Sequence, residues 1–316
     1  MNDMPDSIMH ALESGYRAQQ AGNLPSAEKT YQEVLAQDAD NIHALNLLGM
    51  LCVNSQRPKE AVEYLLRAIS NQPDNPQTQN NIGLAYKDLG RNYRAIEHFT
   101  KAAELDPDNP DVHNNLGNVL RIVEKPRKAV AAYERALKIA PTFAECWSNL
   151  AAALNELGKH ERALKAVGRA LQLDRELAQA YNNRGDIYLA QAKYEEAVAE
   201  YRVAIRLSPK YTAALINMAR TVRDMDKPEE AAKILKVVLD LEPGNPDALL
   251  VQGVLNEQIG DREAAASSFK EAIQSSTDMT VAHYYLSQIK GRAGTDDEFE
   301  AMKALDANAE LTPRAS

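Results

Sequence analysis

The chain is poor in cysteine and in large aromatics: 316 residues include two Cys, one Trp and four Phe. Two thiols cannot supply the bridge framework of a small secreted domain, and at helix positions they fit a reducing compartment, so a cytoplasmic location is expected. No stretch approaches the ~20 consecutive apolar residues of a membrane-spanning helix. The start, Met1 to Leu12, carries Asp3 and Asp6 and has no apolar centre, unlike a signal peptide. Basic residues are outnumbered, 36 Lys and Arg against 45 Asp and Glu, giving a net charge of −9 with no basic run. Neither nucleic acid nor an anionic membrane surface is therefore an expected partner. Also missing are a Gly-rich phosphate loop, a His pair at ligand spacing and a strand-turn-helix nucleophile. His10, His43, His98, His113, His160 and His283 are scattered along the chain. No catalytic residue, metal site or cofactor is expected, and the chain does not read as an enzyme.

What is present is a period. Gly15, Gly49, Gly83, Gly117, Ala151, Gly185, Ala219, Gly253 and Ser287 stand 34 residues apart. A second comb, Ala27, Ala61, Ala95, Ala129, Ala163, Ala197, Ala231 and Ala265, keeps the same interval without exception. Such spacing predicts a helical hairpin copied about eight times and stacked into an all-α solenoid. Cys52 and Cys146 then lie about three repeats apart, too far to be joined.

One unit shows the logic. From Pro110, Val112, Leu116, Val119 and Leu120 recur at helical spacing on a first helix. Pro126 opens a second helix, where its missing N–H costs nothing. Val130, Tyr133, Leu137 and Ile139 form its apolar stripe, and Pro141 closes the unit. Small residues at the two combs let the helices approach, with Gly117 against Ala129 and Tyr133 filling the space one turn on. Trp147 and the tyrosines occupy repeat positions and are expected to pack in the core. Gly22, Gly90, Gly158 and Gly260 follow first helices, where a left-handed residue ends the helix. Gln56, Glu124, Ala192 and Asp226 replace that glycine in the other units, whose turns are expected to close differently.

These residues resemble the tetratricopeptide repeat. The third unit reads Ile82, Gly83, Tyr86, Ala95, Phe99, Ala102, Pro107, and the sixth reads Tyr181, Gly185, Tyr188, Ala197, Tyr201, Ala204, Pro209. The fifth departs, with Ala151 and Arg175 where the family prefers Gly and Pro. The resemblance implies a right-handed superhelix with first helices lining the concave side. The expected organisation is a tail over 1–7, eight contiguous units over 8–279 and an unpaired ninth first helix over 280–290. A linker, one possible helix and a tail follow over 291–316. That last stretch, from Asp296 through Leu305 to Pro313, is weakly similar to the segment joining these repeats to a sulfotransferase domain in some bacterial proteins.

In the family, positions two, five, six, nine and twelve of each unit face the groove. Position six here reads Asn81, Asn115, Asn149, Asn183 and Asn217 in five consecutive units, with Asn80, Asn114, Asn118, Asn155 and Asn182 beside them. A side-chain amide both donates and accepts, so a row of them can match the alternating groups of an extended main chain. The row is similar to the asparagine row in the repeat region of O-GlcNAc transferase, which implies peptide binding through the backbone. The same amides can instead satisfy neighbouring repeats or face water. Arg121 and Arg220, with Lys87 and Arg223, lie further along this face, where Asp88 and Asp224 neutralise some of them. The Lys and Arg clamp of chaperone adaptors is replaced by Gln77, Asn80, Asp111, Asn114, Glu145, Ser148, Gln179 and Asn182.

The leading expectation is a non-catalytic protein–protein interaction scaffold that holds an extended polypeptide in an Asn-lined groove. Two others stand beside it. One is the substrate-recognition arm of a sulfotransferase or glycosyltransferase whose catalytic domain lies outside this sequence, and the other is a self-assembling scaffold, a homo-oligomer joined through its open ends.

Overall fold

The computed structural model describes residues 5–276 and 279–290, which hold seventeen helices and no strand. In hairpins these are α1 (Asp6–Gln20) with α2 (Leu24–Gln37), α3 (Ile42–Asn54) with α4 (Pro58–Asn71), α5 (Pro76–Asp88) with α6 (Asn92–Leu105), and α7 (Pro110–Ile122) with α8 (Pro126–Ile139). There follow α9 (Ala144–Glu156) with α10 (His160–Leu173), α11 (Ala178–Ala190) with α12 (Tyr194–Leu207), α13 (Thr212–Asp224) with α14 (Pro228–Leu241), α15 (Pro246–Gln258) with α16 (Arg262–Ser275), and then α17 (Thr280–Lys290). The chain forms two compact units, 1–169 and 170–316. In each, every hairpin packs on the next. The linker, helix and tail expected over 291–316 lie outside the described residues, as do 1–4 of the expected N-terminal tail.

The alanine comb is the crossing point of every hairpin, and all eight of its members are fully buried. Opposite it, the glycine comb meets one large side chain per hairpin. A Cβ placed on Gly117 would lie 2.5 Å from Tyr133 Cε1, and one on Gly185 would lie 2.5 Å from Tyr201 Cε1. The same clash recurs between Gly15 and Tyr31, Gly83 and Phe99, and Gly253 and Phe269. In α9/α10 and α13/α14, where alanine stands for glycine, the facing residue is aliphatic, Val167 and Leu235, and both are fully buried. Each aromatic thus faces a glycine and each alanine faces an aliphatic side chain. Leu65, seated directly over Gly49, shows that glycine does not demand a ring.

The turns between paired helices correct one expectation. Gln56, Glu124, Ala192 and Asp226 adopt φ of 58, 54, 57 and 60°, the left-handed conformation that Gly22, Gly90, Gly158 and Gly260 adopt elsewhere. The reason is carbonyl satisfaction. After each of these residues the next N–H reaches back five residues: Arg57 to Cys52 O at 2.8 Å, Lys125 to Leu120 O at 2.8 Å, Lys193 to Tyr188 O at 3.0 Å, Lys227 to Val222 O at 3.2 Å. The glycine turns make the same bond, as Arg91 does to Tyr86 O at 2.8 Å. Capping the exposed carbonyls outweighs the ~1–2 kcal/mol that a Cβ costs in this conformation.

A second device ties four of the units to the loop before them. Four consecutive first helices carry a hydrogen-bond donor at position four, and all four reach the carbonyl six residues back. Gln79 Nε2 donates to Pro73 O at 3.0 Å, Trp147 Nε1 to Pro141 O at 2.9 Å and Tyr181 Oη to Arg175 O at 3.2 Å. His113 Nε2 sits 2.9 Å from Pro107 O. Several first helices are also capped by asparagine: Asn41, Asn75, Asn109 and Asn245 accept backbone N–H groups of the first turn.

Candidate functional site

The asparagines of the first helices lie along one face, and much of that face is turned toward the neighbouring hairpin. In unit 1–169, Asn115 Nδ2 donates to Asn80 Oδ1 at 3.1 Å and Asn149 Nδ2 to Asn114 Oδ1 at 3.0 Å. In unit 170–316, Asn217 Nδ2 donates to Asn182 Oδ1 at 3.1 Å and to Asp186 Oδ1 at 3.0 Å. The amide at position six therefore bonds the amide at position five of the preceding hairpin, 35 residues earlier. Asn81, Asn114, Asn149, Asn182 and Asn183 are buried, while Asn80, Asn115, Asn118 and Asn217 are half-buried.

The pattern changes at Asn183, which follows Ser148 at position five, and it breaks before Asn81. Asn46, which holds position five before Asn81, turns its NH2 to Ile42 O (3.0 Å) and Thr78 Oγ1 (2.8 Å), and leaves its buried Oδ1 without a partner. Asn81 and Asn80 instead line a polar cavity of about 390 Å3 together with Gln77, Asp106, Asn109 and Asp111. Asn80 accepts from Asn115 through its oxygen, and its own NH2 has no protein partner among the described residues.

Behind this row the buried tyrosines reach through to the same face. Tyr133 Oη donates to Asn118 Oδ1 at 2.7 Å, and Tyr201 Oη to Asp186 Oδ1 at 2.7 Å. Both phenols are held protonated, well above the ordinary tyrosine range, chiefly by burial and for Tyr201 also by the Asp186 charge. Of the cations expected along the face, Arg121 pairs across hairpins with Glu156 at 2.7 Å, Arg223 with its neighbour Asp224 at 2.6 Å, and Lys87 with Asp88 at 3.3 Å. Arg220 lines a separate cavity of about 280 Å3 with Leu250, Val251, Val254 and Tyr285. The two thiols are buried and free; burial pushes Cys52 up to about 11 and Cys146 up to about 12.

Trp147 departs from the core role expected of it. Tyr31, Tyr133 and Tyr201 are fully buried, but Tyr16, Tyr93 and Tyr284 are exposed, and Trp147 is half-buried and borders an open cavity. The sequence carries a signal for this, the alanine at Ala166 on the partner helix, since Ala166 lines the same cavity. Among the described residues no group of His, Cys, Asp and Glu is arranged to hold a metal ion, and no helix is long and apolar enough to cross a membrane.

Tetratricopeptide repeat models match residues 12–76, 74–142, 132–165, 149–212 and 188–254. The chain belongs to the tetratricopeptide repeat family. At the level of that family its role is a protein-interaction scaffold. Among solved structures, one described as the "APC/C hetero-tetramer Cut9-Hcn1" aligns over 84% of this chain at a TM-score of 0.64 and 15% identity. This chain spans about half, 52%, of that one. A Pseudomonas aeruginosa pilF structure aligns over 66% of this chain and 96% of its own, with a TM-score of 0.51 and 23% identity. At these identities both likenesses concern the fold. No curated protein matches the chain in sequence. The models that match are all repeat models, so the narrower resemblances to O-GlcNAc transferase and to bacterial sulfotransferase proteins gain no support from them.

Proposed function

We propose that this tetratricopeptide repeat protein is a non-catalytic scaffold that holds an extended segment of another protein against its first-helix face, largely through the segment's main chain. In unit 1–169 the contact groups are Asn80, Asn81, Asn114, Asn115, Asn118, Asn149 and Arg121; in unit 170–316 they are Asn182, Asn183, Asn217 and Arg220. The observation that carries the reading is Asn80. Its oxygen is committed to Asn115, yet its NH2 is unspent and borders a polar cavity beside Asn81. An amide fixed on one side and open on the other is a pre-oriented donor for a peptide carbonyl. The inter-hairpin bonds thus serve binding by holding the row rigid, and at Asn80 they leave the donor half of the amide for a guest.

The test separates the two roles of the row. Asn80→Asp keeps an acceptor for Asn115 and removes the open donor. Against an array of unrelated extended peptides, the wild type binds many weakly, and Asn80→Asp weakens them by about 2–10-fold, the worth of one net hydrogen bond. A single sharp sequence motif among the binders, or unchanged affinity in Asn80→Asp, overturns the reading.

A further inference from the structure

The cavity beside Trp147 is unlike the asparagine face. It measures about 480 Å3 and is built by α8, α9 and α10 of unit 1–169. Its walls are Trp147, Leu137, Leu150, Leu154 and Ala166.

The cavity opens beside a small residue of the second helix. Position twenty-three, on that helix, carries a large side chain in several hairpins. It is Tyr64 in α4, packed onto the core of the first hairpins, and His98 in α6, 2.7 Å from Gln79 Oε1. In α12 it is Glu200, paired with Arg184 at 2.7 Å. In α8 it is Ala132 and in α10 Ala166, and Ala166 lines the cavity beside Trp147. The Trp147 N–H is already committed to Pro141 O, so the ring is a fixed apolar wall that asks a guest for no hydrogen bond.

The rim carries the opposite sign to the molecule. Lys138, Arg162, Lys165 and Arg169 surround the opening against one acid, Glu134, which Arg162 engages at 2.9 Å. Lys138 and Lys165 are exposed and have no ion-pair partner among the described residues. On a chain of net charge −9, this is a local reversal that attracts anions. An apolar floor of this volume takes one or two bulky side chains, and a cationic rim selects acids beside them.

We infer that the Trp147 cavity is a second docking site, for an acidic protein segment that carries an aromatic or branched aliphatic anchor. The anchor lies against the indole and Ala166, and flanking carboxylates meet Lys138 and Lys165. This site is independent of the first-helix asparagines.

Trp147 is the chain's one tryptophan, so fluorescence excited beyond the tyrosine absorption band reports on the cavity. The probe is the capped peptide Asp-Asp-Phe-Glu-Glu-Leu-Asp-Asp, titrated into the full chain. A saturable emission change is expected, weakened at least ~10-fold in Lys138→Glu/Lys165→Glu, whose exposed side chains can be reversed without disturbing the fold. Ala166→Leu fills the cavity and abolishes the change. Asn80→Asp leaves it intact, so failure here and failure of the asparagine reading are distinguishable. No change up to ~1 mM peptide, an affinity far outside specific recognition, overturns the inference. So does an equal response to the lysine-substituted peptide or to the one with Phe and Leu replaced by Ala. A full response to an aryl carboxylate alone at the same concentration assigns a small-molecule pocket instead and overturns the peptide occupant.

Discussion

Two hairpins solve the same crossing in different ways. In α7/α8, Gly117 lets the ring of Tyr133 lie flat against the first helix, and the phenol reaches Asn118 on the far face. In α13/α14, Ala219 and Leu235 fill the crossing, both fully buried, with no polar atom to pass through. The aromatic version wires the core to the candidate binding face; the aliphatic version insulates the two. The comb residue and its partner together set the volume of the crossing, and where the ring is Tyr133 or Tyr201 its hydroxyl also bonds the face from behind.

The strongest way to break the comparison is to empty the aromatic hairpin. Tyr133→Ala removes a fully buried ring and its bond to Asn118, and is expected to cost about 3–5 kcal/mol in urea unfolding. Gly117→Ala tests the crossing itself, since its Cβ would stand 2.5 Å from the fully buried ring of Tyr133. It is expected to cost about 1–3 kcal/mol by overpacking, offset by up to ~1 kcal/mol of helix propensity. Adding Tyr133→Leu to it copies α13/α14, and the double variant should be more stable than the sum of the single losses by about 1–2 kcal/mol. Strict additivity would show that the two positions are independent.

Behind the two hairpins the next first helix differs as well: Cys146 follows the aromatic one and Ala248 the aliphatic one, both fully buried. Burial raises the Cys146 thiol from its ordinary 9.0 to about 12. Below pH 9 the thiol is protonated whether the chain is folded or not, so it leaves stability unchanged. Between 9 and about 12 only the unfolded chain ionises, and stability falls as pH rises, by up to ~1.4 kcal/mol per unit. Cys146→Ala, which copies Ala248, should make the alkaline decline shallower. The smallest effect belongs to the turns. Glu124→Gly in the aromatic hairpin and Asp226→Gly in the aliphatic one relieve the same strained φ, and each should gain about 0.5–1 kcal/mol after the entropy cost of glycine. Unequal gains would show that the two turns are held by different forces.

The stacked hairpins were legible in the sequence because the combs are dictated by contact distance: Ala129 and its counterparts are fully buried where the helices cross, which holds the pattern in register. The turns at Gln56, Glu124, Ala192 and Asp226 were not, because side-chain preference is a weaker signal than the unmet carbonyls of the helix end. For the asparagines, position was readable and direction was not. Asn149 sits on the expected face, but only the neighbouring hairpin shows that its amide bonds Asn114. The site at Trp147 was hidden for a related reason. A cavity is what a side chain fails to fill, and Ala166 reads as an ordinary helix former until the helix opposite is known.

The left-handed bend shared by the eight described hairpin turns has a consequence for how such a chain changes length. Because the main chain sets the bend, whole blocks of 34 residues can be gained or lost while each surviving block keeps its internal shape. A shift of one residue has no such freedom. It would carry the small residue out from under its facing ring and spoil two neighbours at once.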